Sequence, residues 1–109
     1  MKYLNYLLLL IVIPAFLSSK PPETTFKLIN EAWESGIWIE IKQGRQSACA
    51  DMPGGERHFV KHKEDFSLTT TNEVCWRRES NPGDGKPEEM QNVWNHESSF
   101  GGVKKISIR

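Results

Sequence analysis

An all-β fold, a small antiparallel β-sandwich of six or seven short strands, is what this sequence predicts. Between Gly36 and Gly44, the residues Ile37, Ile39 and Ile41 alternate with Trp38, Glu40 and Lys42. A period of two belongs to a strand with one buried and one solvated face, as antiparallel sheets have. Further short runs follow, separated by turn signals rich in Pro, Gly, Asn and Asp. That spacing is typical of sandwiches and small barrels. No helical pattern alternates with the runs, so nothing calls for a parallel sheet built from βαβ units.

The start of the chain has a different logic. One basic side chain, Lys2, precedes an unbroken apolar run from Leu7 to Phe16; Leu17-Ser18-Ser19 and then Lys20-Pro21-Pro22-Glu23 follow. This is the plan of a secretory signal peptide, and the run falls well short of the ~20 residues that span a bilayer. Removal of residues 1–19 is expected, leaving one secreted or periplasmic domain over 20–109 with no stable membrane span. Residues 20–25 (KPPETT) read as a polar lead-in, mobile as far as Thr24.

The next segment is ambiguous. Phe26, Ile29 and Trp33 share a helical face that Gly36 would end, whereas Phe26 and Leu28 alternate with Lys27 as a strand. The strand is preferred because the neighbouring segments all alternate. After the run at 37–43, residues 44–57 read as a loop, with Pro53-Gly54-Gly55 as its turn. Strands are expected at His58 to Lys63, Phe66 to Thr71 and Val74 to Glu79, where Val74, Trp76 and Arg78 oppose Cys75, Arg77 and Glu79. Residues 80–89 form an exposed loop, Met90 to His96 a shorter strand, and Val103 to Arg109 a last one in which Ile106 and Ile108 alternate with polar residues.

Two cysteines in a chain addressed to an oxidising compartment are expected to pair, so Cys49 and Cys75 form the predicted disulfide. It would pin the 44–57 loop to the strand that holds Cys75, for about 3–4 kcal/mol in the chain-entropy model. Fourteen basic side chains balance fourteen acidic ones. That balance disfavours non-specific nucleic-acid binding, which needs a basic surface, and gives no steering towards anionic membranes.

Catalytic and metal chemistry find little support. His58 and His62 with Glu64 and Asp65 have the ligand types for a metal, but four residues of strand span about 13 Å, too far to share one ion. His96 could join only from elsewhere in the fold, so no metal or other cofactor is expected. No serine sits in a nucleophile elbow, and Cys75 is expected to be oxidised. Carboxylate pairs for hydrolysis would have to be recognised in space, since sequence spacing does not reveal them.

Recognition is better supplied. Trp and Arg are the residues most enriched at binding hot spots. Trp38 lies opposite three isoleucines and is expected to be partly exposed. Trp38, Arg77, Arg78 and Trp94 are the candidate binding residues. A structural reading competes: Arg78 caps Trp76 at the rim of the core, and Arg77 pairs across the sheet with an acid such as Glu40.

The order Thr25-Phe26-Lys27-Leu28-Ile29-Asn30, Ile37-Trp38-Ile39, Gly44, Gly54-Gly55 and Phe66-Ser67-Leu68 resembles the opening strands of thaumatin-like β-sandwiches. The resemblance implies a sandwich and carries no activity or site residues with it. The expected function is non-enzymatic binding of a protein or cell-envelope partner. Two alternatives are an inhibitor or accessory of an extracellular hydrolase, acting through Asn81–Glu88, and a small hydrolase with a carboxylate pair in a cleft.

Overall fold

The computed structural model describes residues 22–51, 54–83 and 89–109. The segment read as a signal peptide and most of the Asn81–Glu88 loop lie outside the described residues. Seven strands occur among those described: β1 (Thr24–Ile29), β2 (Ile37–Gln43), β3 (Glu56–Val60), β4 (Asp65–Thr70), β5 (Val74–Arg78), β6 (Asn95–Glu97) and β7 (Gly102–Ser107). They form two packed sheets, ordered β4-β1-β7 and β3-β2-β5-β6. No helix of the described residues is long and apolar enough to cross a membrane.

The core lies between the sheets and follows from the alternation. Phe26 and Leu28 of β1, with Ile106 and Ile108 at the end of the chain, meet Ile37, Ile39 and Ile41 of β2, Val60 of β3, and Val74 and Trp76 of β5. Phe66 and Leu68 of β4 complete it at one side, opposite Leu28 and Phe26 in the antiparallel register of β1 and β4. Burial of such side chains stabilises by roughly 1.5–3 kcal/mol each.

Asn30 settles the ambiguity at 26–33 in favour of the strand. It is fully buried, and its amide bridges three groups: Nδ2 donates to the carbonyls of Trp33 and Val60 at 2.9 and 3.0 Å, and Oδ1 accepts the Trp33 N–H at 2.9 Å. A side chain that closes a turn on its own backbone competes with helix formation. The turn ends at Gly36, whose φ of +79° suits glycine and whose missing Cβ makes room for the Phe59 ring.

Other boundaries shift. The third strand starts at Glu56 and ends at Val60, two residues ahead of its expected start, because Ile41 pairs with Glu56 and the turn falls at 62–63. Within 90–96, Met90 makes only a single bridge, to Glu79, and the strand is confined to Asn95–Glu97. All strand pairs are antiparallel except β1 and β7, which run parallel.

That parallel pair requires the chain to cross from one sheet to the other after β6, and Thr24 receives the crossing. The expectation of a mobile chain as far as Thr24 is corrected here: Thr24 is fully buried and opens β1. Its Oγ1 accepts the N–H groups of Phe100 and Gly101 at 2.9 and 2.8 Å and lies 3.0 Å from Ser99 Oγ. Thr24→Val keeps the shape but orphans two donors. A loss of about 2 kcal/mol in urea unfolding is expected, with earlier amide exchange at Phe100 and Gly101.

Candidate functional site

The side of β3-β2-β5-β6 away from the core carries Trp38, Glu40 and Lys42 of β2, Arg57 and Phe59 of β3, and Cys75 and Arg77 of β5. Register places them side by side: Trp38 opposite Phe59, Glu40 between Arg57 and Arg77, and Lys42 opposite Cys75. Alternation put Trp38 here with two charges, and the charges were expected to be solvated. They are not: Glu40 is 3% exposed and Lys42 8%.

The reason is what lies over them. Cys49 and Cys75 form the predicted disulfide. Because Cys75 faces outwards with Arg77, the bond draws the β2–β3 connection onto this outer face rather than into the core. A 3₁₀ turn at Gln46–Ala48 leads the connection to Cys49. From the other side, the chain ahead of β6 lays Trp94 across the sheet, with Lys42 Nζ 4.1 Å and Arg77 Cζ 4.3 Å from its ring centroid.

Glu40 is the electrostatic centre of the face. Its Oε1 accepts Arg77 Nε at 2.8 Å and its Oε2 accepts Arg57 Nε at 3.2 Å. A carboxylate so deep is tolerable only when charge-assisted bonds replace its water. Arg77 is held further by donating Nη1 to the Gln91 carbonyl at 3.1 Å. Beside this cluster, the half-buried Trp38 meets Phe59 at a centroid distance of 5.4 Å, and Phe59 is 46% exposed.

The four candidate binding residues therefore separate. Trp38, Arg77 and Trp94 lie on one face; Arg78 lies on the other side of β5. Its guanidinium sits over Trp33, 5.0 Å from the ring centroid, instead of beside Trp76, and Nη1 donates to the Glu79 carbonyl at 2.7 Å. Trp76 is core. Arg78 Nε and Trp33 Nε1 are buried there with no hydrogen-bond partner among the described residues. Arg78 thus caps a tryptophan at the rim, as the competing reading had it, but a different one.

The three histidines lie apart, each with its own neighbour. His58 Nε2 is 3.3 Å from Glu56, His62 Nε2 is 3.2 Å from the Glu31 carbonyl, and His96 Nε2 is 3.0 Å from Glu73. No group of three metal-ligating side chains forms among the described residues. Among the described residues, two clefts bear on the hydrolase alternative. A polar one of about 450 Å³ is lined by Gln43, Arg45, Asn72 and Glu73, and a smaller one of about 250 Å³ runs between Ile41, Glu56, Phe66 and Leu68. Each has a single carboxylate in its lining, so neither brings together the pair that hydrolysis would use.

No family model matches the chain, and no solved structure matches it. A segment of Protein sidekick-1 from Mus musculus is similar: 26% identical over 96 residues, which take in 85% of this chain and 4% of that protein. The chain thus spans a small fraction of the length of the curated relative it matches. No family model bears on the thaumatin-like resemblance, which stays a likeness of pattern.

Arg57 and Phe59 are the members of this face that sequence reasoning missed. The expected strand began at His58, which left Arg57 in a loop. Alternation of Arg57 and Phe59 against Val60 was the signal, and it needed the earlier start to be visible.

Proposed function

We propose that this domain is a non-enzymatic interaction module that works outside the cell and takes its partner on the outer face of β3-β2-β5-β6, around Trp38, Arg77 and Trp94. One observation carries the reading: a buried carboxylate fixes two guanidinium groups beside aromatic rings that reach solvent. Rigid aromatics and arginines whose positions are set before binding lose little freedom when a partner arrives. A hydrolase of the kind weighed above would need two carboxylates converging in a cleft, and among the described residues neither of the two clefts brings such a pair together.

The connectivity supports the type of module. Strands β1 to β6 follow the order of B, C, C′, E, F and G in immunoglobulin- and fibronectin-like sandwiches, with E beside B and C′-C-F-G in the second sheet. β7 takes the place beside β1 that strand A has there, but it runs parallel. The disulfide also departs from the immunoglobulin plan, since it ties the β2–β3 connection to β5 on the outside of the sandwich. The analogy is one of fold and names no partner. Similarity to a short stretch of the much longer sidekick-1 supports a modular unit, and the disulfide supports an oxidising compartment, which both addresses the sequence allowed provide.

Capture on the immobilised protein tests the reading. Wild type and a chain with residues 81–88 replaced by a Gly-Ser linker should recover the same partners. Trp38→Ser should lose them at an unchanged melting temperature. The reverse pattern, with partners lost only on loop replacement, would favour the inhibitor or accessory reading.

A further inference from the structure

Among the described residues, each sheet ends in two strands with a free side, and their sequences differ in how that side is protected. β6 is only three residues long, β7 presents the exposed Lys105 while its Lys104 pairs with Glu97, and β4 presents the exposed Asp65 with Ser67 and Thr69. Short edges and charges of this kind block pairing with another chain. On β3, Arg57 is engaged with Glu40, and Glu56, 84% exposed, lies beside His58 on the face opposite Phe59. The large exposed group is the Phe59 ring.

The hydrogen-bond phase of β3 can be read from its neighbour. Trp38 uses both its N–H and its carbonyl on Glu79, at 3.0 Å each, on the β5 side, and Gly44 N–H likewise donates to Glu73 at 2.8 Å. By alternation Ile37, Ile39 and Ile41 aim theirs at β3, where they face Val60, His58 and Glu56. The backbone groups of Arg57 and Phe59 are therefore the ones that point out of the sheet.

We propose that a second copy of this chain pairs antiparallel with the open edge of β3, with Arg57 of each copy opposite Phe59 of the other. Only a few two-fold registers bring outward-pointing residues together. Opposing the two copies of Arg57 sets like charges face to face. Opposing the two copies of Phe59 moves Arg57 against Lys61, again like charges. The register centred on His58 gives two Arg57–Phe59 pairs and about four backbone hydrogen bonds. In it the guanidinium of Arg57, whose side chain is 39% exposed while its Nε is held by Glu40, can stack on the partner's Phe59. The two four-stranded sheets join into one continuous sheet, with Trp38 flanking the seam on the outer face.

This inference shares Arg57 and Phe59 with the outer-face reading but is tested separately, since a strictly monomeric protein that still needs Trp38 for capture would overturn only the dimer. Sedimentation equilibrium of the purified protein from about 10 μM to about 1 mM tests it, alongside Phe59→Lys and Phe59→Glu. A wild-type dimer is expected. Phe59→Lys, which sets a cation against Arg57, should weaken it about tenfold or more, whereas Phe59→Glu should retain it through an ion pair in the same register. His58→Cys, on the two-fold axis, should then give a covalent dimer on mild oxidation, and Ser67→Cys on the β4 edge should not. Melting temperatures of the variants show whether the fold is kept. A wild type that stays monomeric throughout, or equal association of all three Phe59 forms, would overturn the proposal.

Discussion

Replacing Cys49 and Cys75 together by alanine is expected to lower the unfolding free energy by about 3–4 kcal/mol. The bond closes a loop with a sequence separation of 26, and the entropy of that closure in the unfolded chain sets the scale. For a domain of this size the loss is a large share of a total of about 5–10 kcal/mol. Its location adds a second effect. The bond holds the β2–β3 connection against the outer face, where Lys42 and Glu40 are covered, so its removal lets water reach both. Urea titration should show a lower midpoint, and amide exchange should quicken first over residues 44–51. A loss below about 1 kcal/mol would mean that the connection is held by its other contacts, and the bond would then not organise the face.

Arg77→Met comes next in size. The variant keeps an aliphatic side chain and deletes the guanidinium that lies over Trp94, so Glu40 loses its shorter partner and is left with Arg57 alone. Leaving a buried carboxylate partly compensated costs about 2–4 kcal/mol. Arg77→Lys should fall between, because a single ammonium cannot serve both Glu40 and the Gln91 carbonyl in the fork geometry that arginine uses. The double variant Glu40→Met with Arg77→Met should recover much of the loss, since a buried ion pair exchanged for apolar side chains is often neutral. Thermal unfolding of wild type, Glu40→Met, Arg77→Met and the double variant closes the cycle. A double variant as unstable as the sum of the single ones would show that Glu40 and Arg77 are not coupled.

The architecture was legible where local pattern decides it. Ile37, Ile39 and Ile41 alternate because one face of β2 meets the core, and glycines mark its ends. Cys49 and Cys75 had only one way to pair within the chain, and a cross-strand partner for Arg77 could be named as Glu40. Features set by distant chain could not be read in this way. Nothing local to β2 says that Trp94, arriving from far along the sequence, will cover Lys42 and turn a polar strand face into a buried one. The parallel pairing of β1 with β7 depends on a crossing received by one hydroxyl, that of Thr24. Arg78 was expected beside Trp76 because the two share a strand face, but Trp33, brought in by the Asn30 turn, takes that place. Of the candidate site, Trp38, Arg77 and Trp94 were within reach of the sequence, while Arg57 and Phe59 waited on a strand boundary two residues away.

Hydroxyl-radical footprinting of the protein, alone and with a captured partner, tests most directly whether the outer face is the one that binds. Trp38 and Trp94 report on that face, and Phe100 and Val103, both exposed near the β7 edge of the other sheet, serve as the contrast. The partner should slow oxidation of Trp38 and Trp94 and leave Phe100 and Val103 unchanged. Protection of Phe100 and Val103, with the two tryptophans oxidised as in the free protein, would contradict the account.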